Sequence, residues 1–194
     1  MRDNVGLVDE QVSIYLLENT VITIQESQSD CWHPITHRVD RERSRLRSND
    51  ASYLVYALVD YLVDIAFPIL EVYGDKLEDL EVEIMDTAKM SLMKEVHAVK
   101  RELLLLRRTM WPMREVMSSM QQQHIQLISS TTHTYVRDTY DHCVQIIDII
   151  ETYREIGTGL LELYSTTVSH QYVGRQAVWF RGFLPACCFS FFPG

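Results

Sequence analysis

The sequence predicts a mainly α chain in which an N-terminal β-hairpin, an α+β remnant, is followed by long antiparallel helices and one long stalk helix. Three observations predict it. Apolar residues recur at steps of three and four from Tyr53 to Met85, from Ser91 to Ser119 and from Thr134 to Ser169, the spacing of a helix with one buried stripe. Period-two alternation is confined to residues 11–26. The third stripe is so long that it needs a partner along its whole length, which makes packed long helices the architecture.

Taken in order, Val12, Ile14 and Leu16 alternate, Glu18, Asn19 and Thr20 interrupt, and Val21, Ile22 and Ile24 resume. That pattern predicts a hairpin over 11–26 turning at Asn19. Two strands alone are marginal, so further sheet is expected to belong with it. Residues 34–47 (PITHRVDRERSRLR) predict a basic helix with Pro34 in its first turn. Interleaved Asp40 and Glu42, and the lack of aromatic platforms, make this a solvated or ion-paired face, and no nucleic-acid partner is expected.

Ser48, Asn49 and Asp50 offer capping side chains for a helix over 51–86, which Pro68 and Gly74 should bend. Its distal half (EVYGDKLEDLEVEIMD) is acidic, and the next helix, 90–120, is basic, with Lys94, Lys100, Arg101, Arg107, Arg108 and Arg114. Antiparallel pairing of opposite charge is the expectation. Pro112 should kink the second helix after Trp111, and Gln121–His124 reads as its polar end. The stalk, 131–169, buries Val136, Tyr140, Cys143, Ile147, Ile150, Tyr153, Ile156, Leu160, Leu163 and Tyr164. From 171 to 194 the composition changes to a tail without acidic residues or periodicity, and the stalk is expected to stop before it.

The formal net charge is −9. An acidic balance argues against nucleic acid and anionic membrane surfaces and is compatible with attracting cations. Cys31, Cys143, Cys187 and Cys188 form no CxxC, so neither a disulfide framework nor a zinc ribbon is indicated, and Cys187–Cys188 is read as incidental. No signal-type run and no sufficiently long apolar window are seen, so the chain as written is expected to be cytoplasmic and not to span a membrane. No GxGxxG, Walker A, GxSxG or HExxH pattern occurs, and the histidines stand at no recognisable spacing from a nucleophile; an enzyme is not expected.

Within YVRDTYDH, Asp138, Asp141 and His142 lie three and four residues apart, on one side of a helix. A hard ion such as Mg2+ favours the aspartates, whereas imidazole suits Co2+ or Ni2+. Pairing of the aspartates with Arg137, Arg154 or a neighbouring helix is the competing reading.

The stretches EQVSIYLLENTVITIQE, ASYLVYALVDYLVD, VKRELLLLRRTMWPMREVMSSM, YVRDTYDHCVQIIDIIETYREI and TGLLELYSTTVS, in this order, resemble the cytosolic half of the CorA family of magnesium and cobalt channels. The resemblance covers about Val8 to Ser169, so that residues 1–170 read as a partial CorA-like cytosolic domain. It implies a homopentamer in a plasma or inner membrane, this part cytoplasmic, with five stalks around the ion path. It also implies that Asp138 stands at a regulatory Mg2+ site between protomers, with Asp60 close to it and Asp64 one turn later. Binding is expected to be weak, because the family's other acidic ligands have no counterpart in the stretches matched. The family motif asparagine is replaced by His170, and a frameshift or premature stop is the expected origin of the tail. On that expectation the chain alone does not conduct; the alternative is a soluble helical interaction module that self-associates or joins full-length subunits.

Overall fold

In the computed structural model, residues 7, 10–26, 31–122 and 125–187 are described, with side-chain surroundings through 170. Strands β1 (Val12–Leu16) and β2 (Val21–Gln25) form the expected antiparallel hairpin, Ile14 opposite Thr23 and Leu16 opposite Val21. Leu17 N–H donates to the Thr20 carbonyl across the turn at 2.9 Å. The alternation turns Ile14, Leu16 and Val21 onto the helical core and leaves Tyr15, Ile22 and Ile24 exposed.

The basic segment is two pieces, α1 (His33–Asp40) and α2 (Arg45–Ser48), rather than one helix over 34–47. Arg41 turns extended after α1, and Ser44, also extended, caps α2 by accepting the Leu46 N–H at 3.2 Å. A side chain that caps one helix ends the path of the other.

The 51–86 stretch divides into α3 (Ala51–Asp64) and α4 (Ala66–Asp86). Pro68 explains the break: it has no N–H to give the Asp64 carbonyl four residues back, and its ring crowds that carbonyl. Gly74 does not divide α4. It lies inside α4, where an added Cβ would come 2.6 Å from the Tyr153 hydroxyl. Helix α5 (Met90–Met120) runs through Pro112 as one element, so the expected kink does not divide it. It ends at Met120 with Gln121 as cap; Gln123 and His124 fall outside the described residues.

Helix α6 (Ser130–Cys187) begins where the stalk was expected and continues past residue 169. Nothing at 169 or 170 caps or breaks a helix, so the change in composition that follows does not end it. Of the tail's closing residues, Cys188 and the final phenylalanines lie outside the described residues.

Helix α6 packs along both α4 and α5, and its N-terminal part along α3. Val63, Leu70, Leu77 and Ile84 meet Val96, Val99, Leu103 and Met117 and, from α6, Val136, Cys143, Ile146 and Ile150, all at most 2 % exposed. Each such side chain contributes roughly 1.5–3 kcal/mol by leaving water, which is what holds long helices together without a broad sheet. A close approach at Gly157, where an added Cβ would lie 3.0 Å from Lys100 Cγ, lets α5 sit against α6. Among the described residues no ion pair joins acidic α4 to basic α5; Arg107–Glu151, 2.7 Å, joins α5 to α6 instead. The apolar stripes set the packing, and the charges remain at the surface.

One sequence expectation about membranes is corrected. Ala51–Asp86 does contain an 18-residue window of mean hydropathy 1.7, long and apolar enough by composition to cross a membrane. Its apolar residues, Val55, Val59, Val63, Leu70 and Leu77 among them, are instead core of the helical domain.

Candidate metal centre

The last turn of α3 meets the third and fourth turns of α6 at the polar edge of the core. Val59 and Val63 fix α3 there, and Cys143 and Ile146 fix α6, each buried. A helix that buries Val59 and Val63 necessarily sends Asp60 and Asp64, one turn apart, to the rim. By the same logic, burying Thr139 and Cys143 brings His142 to that rim from the other helix.

Asp60, Asp64 and His142 each offer one ligand atom, and these atoms all lie within 4.8 Å of one another. His142 Nδ1 stands 3.5 Å from Asp64 Oδ1, beyond ordinary hydrogen-bonding length. That nitrogen is shielded from solvent and has no hydrogen-bond partner. Phe67, just past the α3–α4 break, sets its ring edge-on to the imidazole with centroids 5.8 Å apart. Asp60 is held from both sides: Thr139 Oγ1 donates to Oδ1 at 2.7 Å and the Tyr56 hydroxyl donates to Oδ2 at 3.3 Å.

The electrostatics record crowded negative charge. Burial, then the Asp60 carboxylate, push the Asp64 carboxyl up, while His142 and Arg38 pull it back down. Tyr56 is pushed upward, first by burial and then by Asp60, with Asp138 adding to it. Cys143 rises to about 11, first through burial and then through Asp60, so it stays a thiol inside the core.

Of the residues singled out by sequence, the structure brings Asp60, Asp64 and His142 together and leaves Asp138 and Asp141 outside that group. Both of these are exposed on the free side of α6, and neither has an ion-pair partner among the described residues. Asp141 lines an open groove along α6 with Gln145, Asp148 and Thr152. Sequence reading missed Tyr56 and Thr139, the two hydroxyls that aim Asp60. The i, i+4 spacing of Tyr56 and Asp60 was a usable signal; Thr139 was visible only once α6 lay on α3.

Two carboxylates and an imidazole with a solvent-shielded nitrogen could together hold a divalent cation. The carboxylates suit Mg2+, which retains several waters; the imidazole adds preference for Co2+ or Ni2+. The two hydroxyls orient a ligand carboxylate, a support that metal sites commonly show.

A family model described as CorA-like Mg2+ transporter protein matches residues 1–173. The cobalt/magnesium transport protein CorA of Thermotoga maritima is 41 % identical over 165 residues, which is 85 % of this chain and 47 % of that protein. The complete structure of the CorA magnesium transporter from Methanocaldococcus jannaschii superposes with a TM-score of 0.76 at 17 % identity, covering 91 % of this chain and 55 % of that one. The structure of the soluble domain of CorA from the same organism gives 0.72 at 19 % identity, over 80 % and 63 % of the two chains. The chain thus spans about half the length of the curated relatives it matches, and it carries the fold of that soluble domain.

Proposed function

Because this chain belongs to the CorA-like Mg2+ transporter family, we propose that it is the cytosolic part of a divalent-cation transporter subunit whose Asp60–Asp64–His142 corner takes up the ion. The transported ion is Mg2+, with Co2+ or Ni2+ as further substrates. The relative's name, cobalt/magnesium transport protein, supports that pair of ions. The function asks for no covalent catalysis.

The single observation that carries the reading is the corner itself: three ligand atoms within 4.8 Å of one another, contributed by two helices. Without a cation, Asp60 and Asp64 repel, and that repulsion adds to burial, the larger cause, in raising the Asp64 carboxyl. A divalent ion between α3 and α6 replaces repulsion with attraction and ties the stalk to the domain that holds it. Asp138, exposed one turn before His142, and Asp141 beside it stand where a neighbouring subunit in a homo-oligomer reaches the same ion. Occupancy of this region then reports cytosolic cation level to the stalk, the electrostatic logic of a regulatory site. Affinity is weak, since only two carboxylates of one chain converge.

Isothermal titration of the metal-stripped chain with Mg2+ and with Co2+ tests the assignment. The account expects heats of binding that disappear in the Asp60→Asn/Asp64→Asn double variant. It also expects His142→Ala to weaken Co2+ more than Mg2+. Isotherms that are the same for the wild type and the double variant overturn it.

A further inference from the structure

Two imidazoles on α1 stand apart from the cation corner. His33 and His37 are four residues apart, on the face of α1 opposite the one that packs. That packed face is Ile35, 2 % exposed among Leu46, Tyr53, Ala57 and Leu58, with half-buried Val39 one turn on. Four residues of helix rise about 6 Å, and the two rings keep that spacing, with centroids 6.4 Å apart and planes 14° from parallel. The turn that carries them is fixed by Pro34 and by the Thr36 hydroxyl, which donates to the His33 carbonyl at 3.0 Å. Both side chains are exposed. Among the described residues neither imidazole has an ion-pair or hydrogen-bond partner, so its nitrogens are free to ligate.

We propose that His33 and His37 form a second cation site, a two-imidazole chelate for a late first-row transition cation of the class of Ni2+, Cu2+ or Zn2+. Histidines at i and i+4 on one helix face are a pair that one metal ion can bridge, as in helical zinc sites. Here Pro34 stands where such a site in a hydrolase carries its glutamate, so the pair binds and does not catalyse. Metal–nitrogen bonds of about 2.0–2.1 Å ask for ligating nitrogens no more than about 4 Å apart. Rings 6.4 Å apart reach that span by turning about side-chain torsions that exposure leaves free, and water completes the coordination.

The surroundings choose the ion. Arg38, Arg41 and Arg43 make this segment basic, which repels a hard cation held by charge alone. A neutral imidazole instead forms bonds that strengthen from Mn2+ toward Cu2+. Mg2+ and Mn2+ are therefore left to the carboxylate corner, and the later ions settle on α1. The proposal does not rest on that corner, to which α1 contributes no ligand.

Calorimetric titration of the tag-free full chain with Zn2+ and with Ni2+ tests this, in an Asp60→Asn/Asp64→Asn/His142→Ala background that silences the corner. A first equivalent of either ion is expected to bind. His33→Ala and His37→Ala are each expected to lower its affinity by about tenfold or more, because a chelate loses its gain when either arm is gone. The two substitutions together should add little further. Both sites are exposed, so circular dichroism should be unchanged. In histidine-labelled chain, one equivalent of Zn2+ should shift the His33 and His37 imidazole resonances together, ahead of those of His97, His133 and His170. Affinities indifferent to either substitution, a loss confined to one of the two, or a pair that shifts no earlier than the other histidines overturns the proposal.

Discussion

Asp50 offers a sharp test of how the two long helices are joined. Its carboxylate caps α3, accepting the Tyr53 N–H at 3.0 Å and the Ser52 hydroxyl at 2.6 Å. Ser52, 1 % exposed, touches Thr132 Oγ1 at 2.9 Å and accepts the Ser129 N–H at 3.2 Å, so the first turns of α3 and α6 share one polar node. Asp50→Ala removes a cap worth about 1 kcal/mol and a bond to a carboxylate worth about 1 kcal/mol more once solvent exposure is allowed for. A loss of about 2 kcal/mol is expected, read in urea unfolding as a lower midpoint at unchanged slope. The pH dependence fixes the cause. The Ser52 hydroxyl, foremost, holds the Asp50 carboxyl below its ordinary 3.8. A depressed carboxyl stabilises fully above its unfolded value and loses that contribution as pH falls through its folded one. The difference between wild type and Asp50→Ala should therefore be constant from neutral pH down to about 4 and shrink below that. A difference under about 0.5 kcal/mol, the low end for a cap, or one that persists unchanged in acid, refutes the shared-node reasoning.

Other consequences are equally direct. Leu103, wholly buried between the long helices, should cost about 3 kcal/mol as Leu103→Ala, measured by the same unfolding assay. Gly74→Ala gains about 1 kcal/mol of helix propensity, but its Cβ meets the Tyr153 hydroxyl at 2.6 Å. Overpacking costs about 1–3 kcal/mol, so net destabilisation is expected, and Tyr153→Phe in the same chain should recover part of it. With its thiol pushed up to about 11 by burial, Cys143 should label with a disulfide reagent only as fast as the chain unfolds. Peptide mapping that finds Cys143 labelled rapidly in the native protein would contradict that.

What the sequence made legible followed from periodicity. The stripes of α4, α5 and α6 are regular enough that most of their buried residues could be read directly, although Ile156, expected in the α6 stripe, is 41 % exposed and the fully buried Ile146 was not in it; the hairpin followed from alternation. The break at Ile65 was harder, because Pro68 acts on the carbonyl of Asp64, four residues before it. The split between α1 and α2 depended on one serine choosing to cap. Surface charge misled: acidic α4 and basic α5 were expected to pair, yet exposed ion pairs are worth little, and the apolar stripes placed α6 against both. For the candidate site, Asp60, Asp64 and His142 were each named from sequence, but only tertiary packing could show that these three converge while Asp138 and Asp141 face outward. Tyr56 and Thr139 matter through Asp60 alone: the i, i+4 spacing of Tyr56 to Asp60 was a usable signal, whereas Thr139 reaches Asp60 from another helix and no local pattern marks it.

The central claim is that a divalent cation sits between α3 and α6, and paramagnetic Mn2+ added to the histidine-labelled chain tests it most directly by NMR. At substoichiometric Mn2+ the His142 imidazole resonances should broaden first, with those of His33 and His37 on the exposed face of α1 unaffected. In the Asp60→Asn/Asp64→Asn variant that selectivity should vanish. Uniform broadening of all histidines in the wild type, or a His142 signal that outlasts the others, would contradict the account.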